Sequence, residues 1–235
     1  MTWLVKPSDT DVASAIAGQD WPACPPDFGY SRVRQTIRGE NGDPLQVLPS
    51  DFSTCRIYAK MPLAMLPGKL RLRREVIARL VVARSLLPSG LSLVVLDGWR
   101  SLEFQTELVS YYSKSMASAV KDLYVSDPND NVVAAPHMTG GAVDLTLQYE
   151  GQPLGLGSDF DAFDESAALD WLERGGSSEL ADEDVLNMRL RRCLAHTLSR
   201  CGFAHYPKEW WHWSYGDQWW AARYSRRVSL YSEVI

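Results

Sequence analysis

Two stretches of this sequence hold residue types that could do chemistry together. In PHMTGGAVDLTL (136–147), His137 stands seven residues ahead of Asp144, an aspartate set inside an apolar run. In KEWWHW (208–213), Glu209 precedes His212 by three residues among three tryptophans. A carboxylate turned into an apolar core needs a partner, because an unpaired buried charge is costly; a cation would serve. Two histidines and one carboxylate form a common catalytic zinc set that leaves a fourth position for water. A further carboxylate such as Glu209 would then be the base that takes a proton from that water. Taken singly, each residue also has an ordinary reading. A histidine in an aromatic strand is more often a hydrogen-bonded residue of intermediate burial, and Asp144 could cap a turn. His196 and His205 read as helix-face and strand residues with no part in a site.

The elements that must position these side chains follow from periodicity. KLRLRREVIARLVVARSLL (69–87) places Leu72, Val76, Leu80, Ala83 and Leu87 at helical spacing, with Arg71, Arg74, Arg79 and Arg84 mostly opposite, and Pro88 and Gly90 end it. RLRRE (71–75) within it reads as a solvated helix face. LSLVVLD (91–97) is a short apolar run typical of a buried strand. Ser101 then caps a helix expected to reach about Leu123, and residues 124–136 read as a loop from their Asp, Asn and Pro content. The two glycines of MTGGAVD allow a tight turn before a strand over 141–149, and EGQPLG turns into a returning segment. Residues 165–181 read as a mobile small-residue loop, and 182–202 as a strong helix capped near Asp182 and stopped by Gly202. FAHY and EWWHWSY form a hairpin through Pro207 and Lys208. Strict alternation would place Glu209 and His212 on opposite faces; they converge only if Glu209 lies at the turn, before regular pairing begins. Antiparallel strands with segregated helices predict an α+β fold.

The chain has 235 residues, 46% of them hydrophobic, which suits one domain with a substantial core. A net charge of −5 with scattered basic residues speaks against nucleic acid as a partner. No basic stretch followed by an apolar run opens the sequence, and no window approaches a membrane span, so a cytoplasmic protein without membrane attachment is expected. The widely spaced Cys24, Cys55, Cys193 and Cys201 show no metal-binding pattern and are expected to be reduced.

The combined pattern, His-x(6)-Asp followed later by Glu-x-x-His with a tryptophan before the second histidine, resembles the zinc D-Ala-D-Ala dipeptidases of the VanX type and, more loosely, the wider D,D-peptidase family. The similarity runs from about residue 55 to 215. It takes in DGWR (97–100), HMTGGAVDLTL (137–147), GSDFDAFDE (157–165) and GFAHYPKEWWHW (202–213), four motifs in the family's order. The resemblance implies a hedgehog/D,D-peptidase-like zinc fold, an antiparallel sheet with helices on one side. A wrapping segment to about residue 55 would precede it and an extension from about 216 would follow.

The same resemblance implies that His137, Asp144 and His212 hold one Zn²⁺ and that Glu209 is the general acid/base. Arg100 matches the family arginine that stabilises the oxyanion, a role that is worth most in a dry pocket. Asp97 would orient Arg100 through a charge-assisted hydrogen bond. Asp161 matches a family acid able to pair with the ammonium group of a free dipeptide, although Asp-rich segments also make Asx turns. The implied activity is hydrolysis of a short D-configured dipeptide, foremost D-Ala-D-Ala, in the setting of peptidoglycan precursors and antibiotic resistance. Departures stand at Ala135, where the family commonly has serine, and at Ser101, where it often has proline. These leave open a D,D- or L,D-carboxypeptidase or another amide hydrolase. A non-catalytic zinc module is the reading from another class, and Glu209 and Arg100 both argue against it.

Overall fold

The computed structural model describes residues 3–114, 126–174 and 180–234. Two short helical turns, α1 (Val12–Ala15) and α2 (Tyr30–Val33), open the chain, followed by strands β1 (Leu45–Val47), β2 (Ser53–Thr54) and β3 (Arg71–Arg73). Then come α3 (Arg74–Leu86), β4 (Leu91–Asp97), α4 (Leu102–Ser113), β5 (Ala142–Tyr149) and β6 (Gln152–Pro153). The long helix α5 (Asp182–Arg200), the hairpin β7 (Ala204–Tyr206) and β8 (Glu209–Ser214), and α6 (Gln218–Arg223) complete the order. The main sheet runs β2-β4-β5-β8-β7, with β6 paired to β5. The fold is α+β as expected, antiparallel apart from β2, which joins β4 in parallel.

The apolar runs account for the centre. β4 is buried almost throughout, and in β5 Val143, Leu145 and Leu147 are wholly buried. Burial on both faces is what a central strand of unbroken apolar residues requires. Glu150 and Gly151 both take positive φ in the two-residue turn between β5 and β6, the backbone that a tight hairpin needs. α5 carries Asp182, Glu183 and Asp184 in its first turn, where negative charge favours the helix dipole. It stops at Gly202, whose φ of +81° lets the chain turn back so that Phe203 N donates to Leu198 O. Ser101 accepts from Phe104 N and caps α4 as predicted; the extension of that helix toward Leu123 lies outside the described residues.

Three expectations are corrected. The helix predicted over 69–87 starts only at Arg74, because Arg71–Arg73 pairs with β1; the alternation of Leu70 and Leu72 fits a strand as well as a helix. RLRRE is not a uniformly solvated face, since Arg73 is buried. The described part of 165–181 is packed rather than loose. Ala167 and Leu169 are buried there, and the buried Arg191 donates to the carbonyls of Leu156, Ser166 and Ala168. All four cysteines are unpaired, and no helix among the described residues is long and apolar enough to cross a membrane.

Candidate metal centre

Three neighbouring elements bring the predicted residues together. His137 sits on a one-turn 3₁₀ helix (Pro136–Thr139) that leads into β5, and this turn closes through Gly140 at φ +71°. A Cβ at Gly140 would stand 2.4 Å from Leu45 Cδ2, and one at Gly141 would stand 2.5 Å from the Tyr215 carbonyl. Gly140 is therefore required by its left-handed backbone and Gly141 by close approach to a backbone carbonyl. Asp144 lies on β5 directly opposite His212 on β8. The pairing of β7 with β8 shifts register between His205 and Tyr206: His205 faces Trp213, but Tyr206 faces Glu209. Glu209 thus sits at the hairpin turn, and Trp210, Trp211 and His212 bulge from the β7 ladder. Strict alternation is broken, and the Glu209 carboxylate comes within 3.8 Å of His212 Nδ1.

The resulting cluster has His137 Nε2 3.1 Å from His212 Nδ1, His212 Nδ1 3.0 Å from Asp144 Oδ1, and His137 Nε2 3.3 Å from Asp144 Oδ2. These ligand atoms lie within 4.8 Å of one another, and all three residues are buried. His137 Nδ1 lies 2.8 Å from the Gly98 carbonyl, to which it can donate only as Nδ1–H, leaving the Nε2 lone pair turned into the cluster. Two inward nitrogens and a carboxylate converging without bulk water match the N₂O donor set of an open zinc site. The residues fit the metal.

The electrostatics agree with a cation there. Burial works against charge on Asp144, but the adjacent imidazoles of His137 and His212 prevail and hold its carboxyl far below the usual range. Burial pushes His212 toward the neutral form that binds metal. Burial, reinforced by Asp144 and Asp161, raises Glu209 well above an ordinary glutamate, with Arg100 opposing. In the protein alone, Glu209 therefore tends to hold a proton, and a cation in the cluster would draw it back toward the range of a working base.

Arg100 and its partners form the adjoining wall. Arg100 Nε donates to Asp97 Oδ2 at 2.6 Å, Nη1 to Gln105 Oε1 at 3.2 Å, and Nη2 reaches Tyr58 Oη at 3.3 Å and Asp144 Oδ2 at 3.4 Å. Asp97, at the end of β4, thus accepts a hydrogen bond from Arg100. Asp161 lies beyond Tyr58, in left-handed backbone at φ +56°. Its Oδ2 accepts from Tyr58 Oη at 3.0 Å and Tyr112 Oη at 2.5 Å. Burial lifts Asp161 to about 7; the hydroxyl of Tyr112 lowers it and the charge of Asp144 raises it. A cavity of about 530 Å³ joins these groups, bordered by Arg100, His137, Asp144, Asp161, Glu209 and His212.

Several lining residues were not legible in the sequence. Tyr58, Gln105 and Tyr112 carried no local signal of a site. Tyr206 and Trp219 pack edge to face at 4.6 Å on the cavity wall, although Trp219 lies beyond the four motifs. Of the three tryptophans around Glu209 and His212, Trp211 alone lines the cavity; Trp210 and Trp213 are fully buried in the core. Ala135, in place of the family's serine, does line the cavity.

The sequence profile of a family described as Peptidase_M15, D-ala-D-ala dipeptidase, matches residues 67–230. A D-alanyl-D-alanine dipeptidase of Synechocystis sp. is 35% identical over 104 residues, 43% of this chain and 42% of that protein. One from Enterococcus faecalis is 31% identical over 84 residues, 35% of this chain and 37% of that protein. The chain spans less than half the length of these curated relatives. Among solved structures, a mutant of the vancomycin-resistance D,D-pentapeptidase VanY in complex with Zn(II) overlaps with a TM-score of 0.35 at 18% identity, covering 77% of this chain and 88% of that one. VanYB in complex with D-alanine-D-alanine overlaps with a TM-score of 0.37 at 17% identity, covering 82% and 93%.

Proposed function

Because the chain belongs to the D-Ala-D-Ala dipeptidase family of M15 peptidases, we propose that it is a zinc-dependent hydrolase of short D-configured dipeptides, with D-Ala-D-Ala the foremost substrate. The observation that carries this reading is the buried His137, Asp144 and His212 cluster with a fourth side chain, the Glu209 carboxylate, 3.8 Å from one of its ligand atoms. A purely structural zinc site needs no such base. Zinc in a set of this kind acts as a Lewis acid on the scissile carbonyl and makes water a competent nucleophile at neutral pH.

The chain's own residues supply the rest. Glu209 takes the proton from the attacking water and hands it to the leaving amine, so its proton affinity must lie near the working pH. Arg100, fixed by Asp97 and Gln105, presents cationic N–H donors to the oxygen on which negative charge develops. Asp161 accepts the substrate's ammonium group, and Tyr58 and Tyr112 hold its carboxylate in place. Burial of the cluster keeps bulk water from screening these charges.

The test is D-alanine release from D-Ala-D-Ala by zinc-loaded protein, with Glu209→Gln in parallel and zinc content measured for both. The expected result is turnover by the unaltered protein and retained zinc in the variant with a rate roughly 10²–10⁴-fold lower. Because Ala135 replaces a serine, longer D-peptides and other amides belong in the same assay. Zinc-loaded protein inert toward D-Ala-D-Ala but active on one of these would move the substrate assignment, and inertness toward all would defeat the hydrolase reading.

A further inference from the structure

The turn that carries His137 is gripped from outside the cavity by a buried arginine that takes no part in the chemistry above. Arg73 is 4% exposed, and all five of its N–H donors have acceptors. Its Nε donates to Thr139 O at 2.7 Å, two residues beyond His137. Its Nη1 donates to Asp43 O at 2.6 Å and Glu40 Oε1 at 3.1 Å, and its Nη2 to Glu40 Oε2 at 2.7 Å and Ser232 O at 3.1 Å. The backbone N–H of Arg73 adds a bond to Gly140 O at 2.9 Å.

One side chain thus ties together three segments far apart in sequence: the histidine turn, the N-terminal segment at 40–43, and the C-terminal tail. The tail grips the turn a second time, where Val234 N donates to Met138 O at 2.9 Å, one residue past His137. It is itself anchored by Tyr231, 1% exposed, whose hydroxyl donates to Asp43 Oδ2 at 3.2 Å and whose ring lies 4.9 Å from the Arg73 guanidinium carbon. The carbonyls of Met138 and Thr139 fix the backbone that aims the imidazole, while Gly98 fixes the ring.

We propose that Arg73 and the tail around Tyr231–Val234 form a positioning clamp that sets how tightly and for how long the chain holds zinc. This rests on the reading of His137, Asp144 and His212 as the metal ligands. Groups hydrogen-bonded directly to a ligand typically change metal affinity 10–100-fold when removed, and Arg73, which acts on His137 through the carbonyl of Thr139, is measured against that range. The C-terminal extension, which has no counterpart in the motifs, acquires a role by this route.

The experiment measures the zinc dissociation constant by chelator competition, and the zinc release rate, for the full chain and four variants. Arg73→Met removes the clamp, Arg73→Lys keeps the charge with fewer donors, and Val234→Pro deletes one tail N–H. Arg191→Met is the control, since it too strips a buried arginine from backbone carbonyls, but in a different loop. The clamp predicts affinity weakened about 10–100-fold in Arg73→Met, less in Arg73→Lys and Val234→Pro, and unchanged in Arg191→Met. Equal zinc affinity and release in folded Arg73→Met and Arg191→Met would overturn it. Should Arg73→Met not fold, Val234→Pro decides: unchanged zinc release overturns the clamp. A full chain that binds no zinc overturns the metal reading and the clamp with it.

Discussion

Acid should weaken this fold through one histidine outside the metal centre. His205 on β7 is 2% exposed, its Nε2 lies 3.3 Å from Pro26 O, and the rings of Phe28 and Trp213 pack on it. Burial, with the charge of Arg223 adding to it, pushes its pKa down from 6.5 to about 4, against the hydrogen bond to Pro26 O and the charges of Asp27 and Asp170. Above pH 6.5 the imidazole is neutral both folded and unfolded, and the contribution is flat. As the pH falls below 6.5, the unfolded chain takes up a proton that the folded chain refuses, so stability drops until the folded pKa near 4 is reached. A gap of about 2.5 pH units at 1.36 kcal/mol each amounts to about 3 kcal/mol, a large share of a typical domain's stability. His205→Phe keeps a ring in the site and cannot be protonated. Urea unfolding of zinc-free protein at pH 7.5, 5.5 and 4.5 isolates the effect, because the carboxylates and the other histidines are common to both proteins and cancel in the difference. The unaltered protein should lose about 2.5 kcal/mol relative to His205→Phe between pH 7.5 and 4.5, the remainder of the gap lying below pH 4.5. Parallel pH dependences would show that His205 protonates freely in the fold and would refute the assignment of its burial.

Arg100→Lys should retain zinc yet lower kcat roughly 10²–10³-fold, because an ammonium cannot reproduce the fork that reaches Asp97, Gln105 and Tyr58 together; steady-state kinetics with metal analysis checks it, and loss of zinc instead would assign Arg100 to the metal site's integrity. Gly140→Ala should destabilise the protein by at least about 1–2 kcal/mol, the cost of a Cβ in left-handed backbone, with the contact to Leu45 adding to it. Urea denaturation measures this, and an unchanged midpoint would mean that the turn relaxes freely.

Much of the scaffold was legible because its signals are local. LSLVVLD and GAVDLTLQY read as strands from their apolar residues, and 182–202 read as a helix bounded by Gly202. The four residues at the metal centre were legible through motif spacing, and the need for Glu209 to sit at the hairpin turn followed from strand alternation. The remainder depends on contacts distant in sequence. Arg73 looks like any other charge in RLRRE until strands β1 and β3 pair. Tyr58 and Tyr112 acquire a role only when Asp161 arrives between them. The beginning of α3 was misplaced because Leu70 and Leu72 satisfy two periodicities, and pairing with Leu45–Val47 decides between them.

The bulge in β8 also constrains how this hairpin can change over evolutionary time. Four chain steps from Glu209 to Trp213 face one step from His205 to Tyr206, an excess of three residues. Because side chains alternate with a period of two, an odd excess inverts the phase between Glu209 and His212 and folds them onto one side of the strand. Substitution at Trp210 or Trp211 leaves that phase intact. Deletion or insertion of a single residue between Glu209 and His212 does not, so this segment should vary in composition while its length stays fixed.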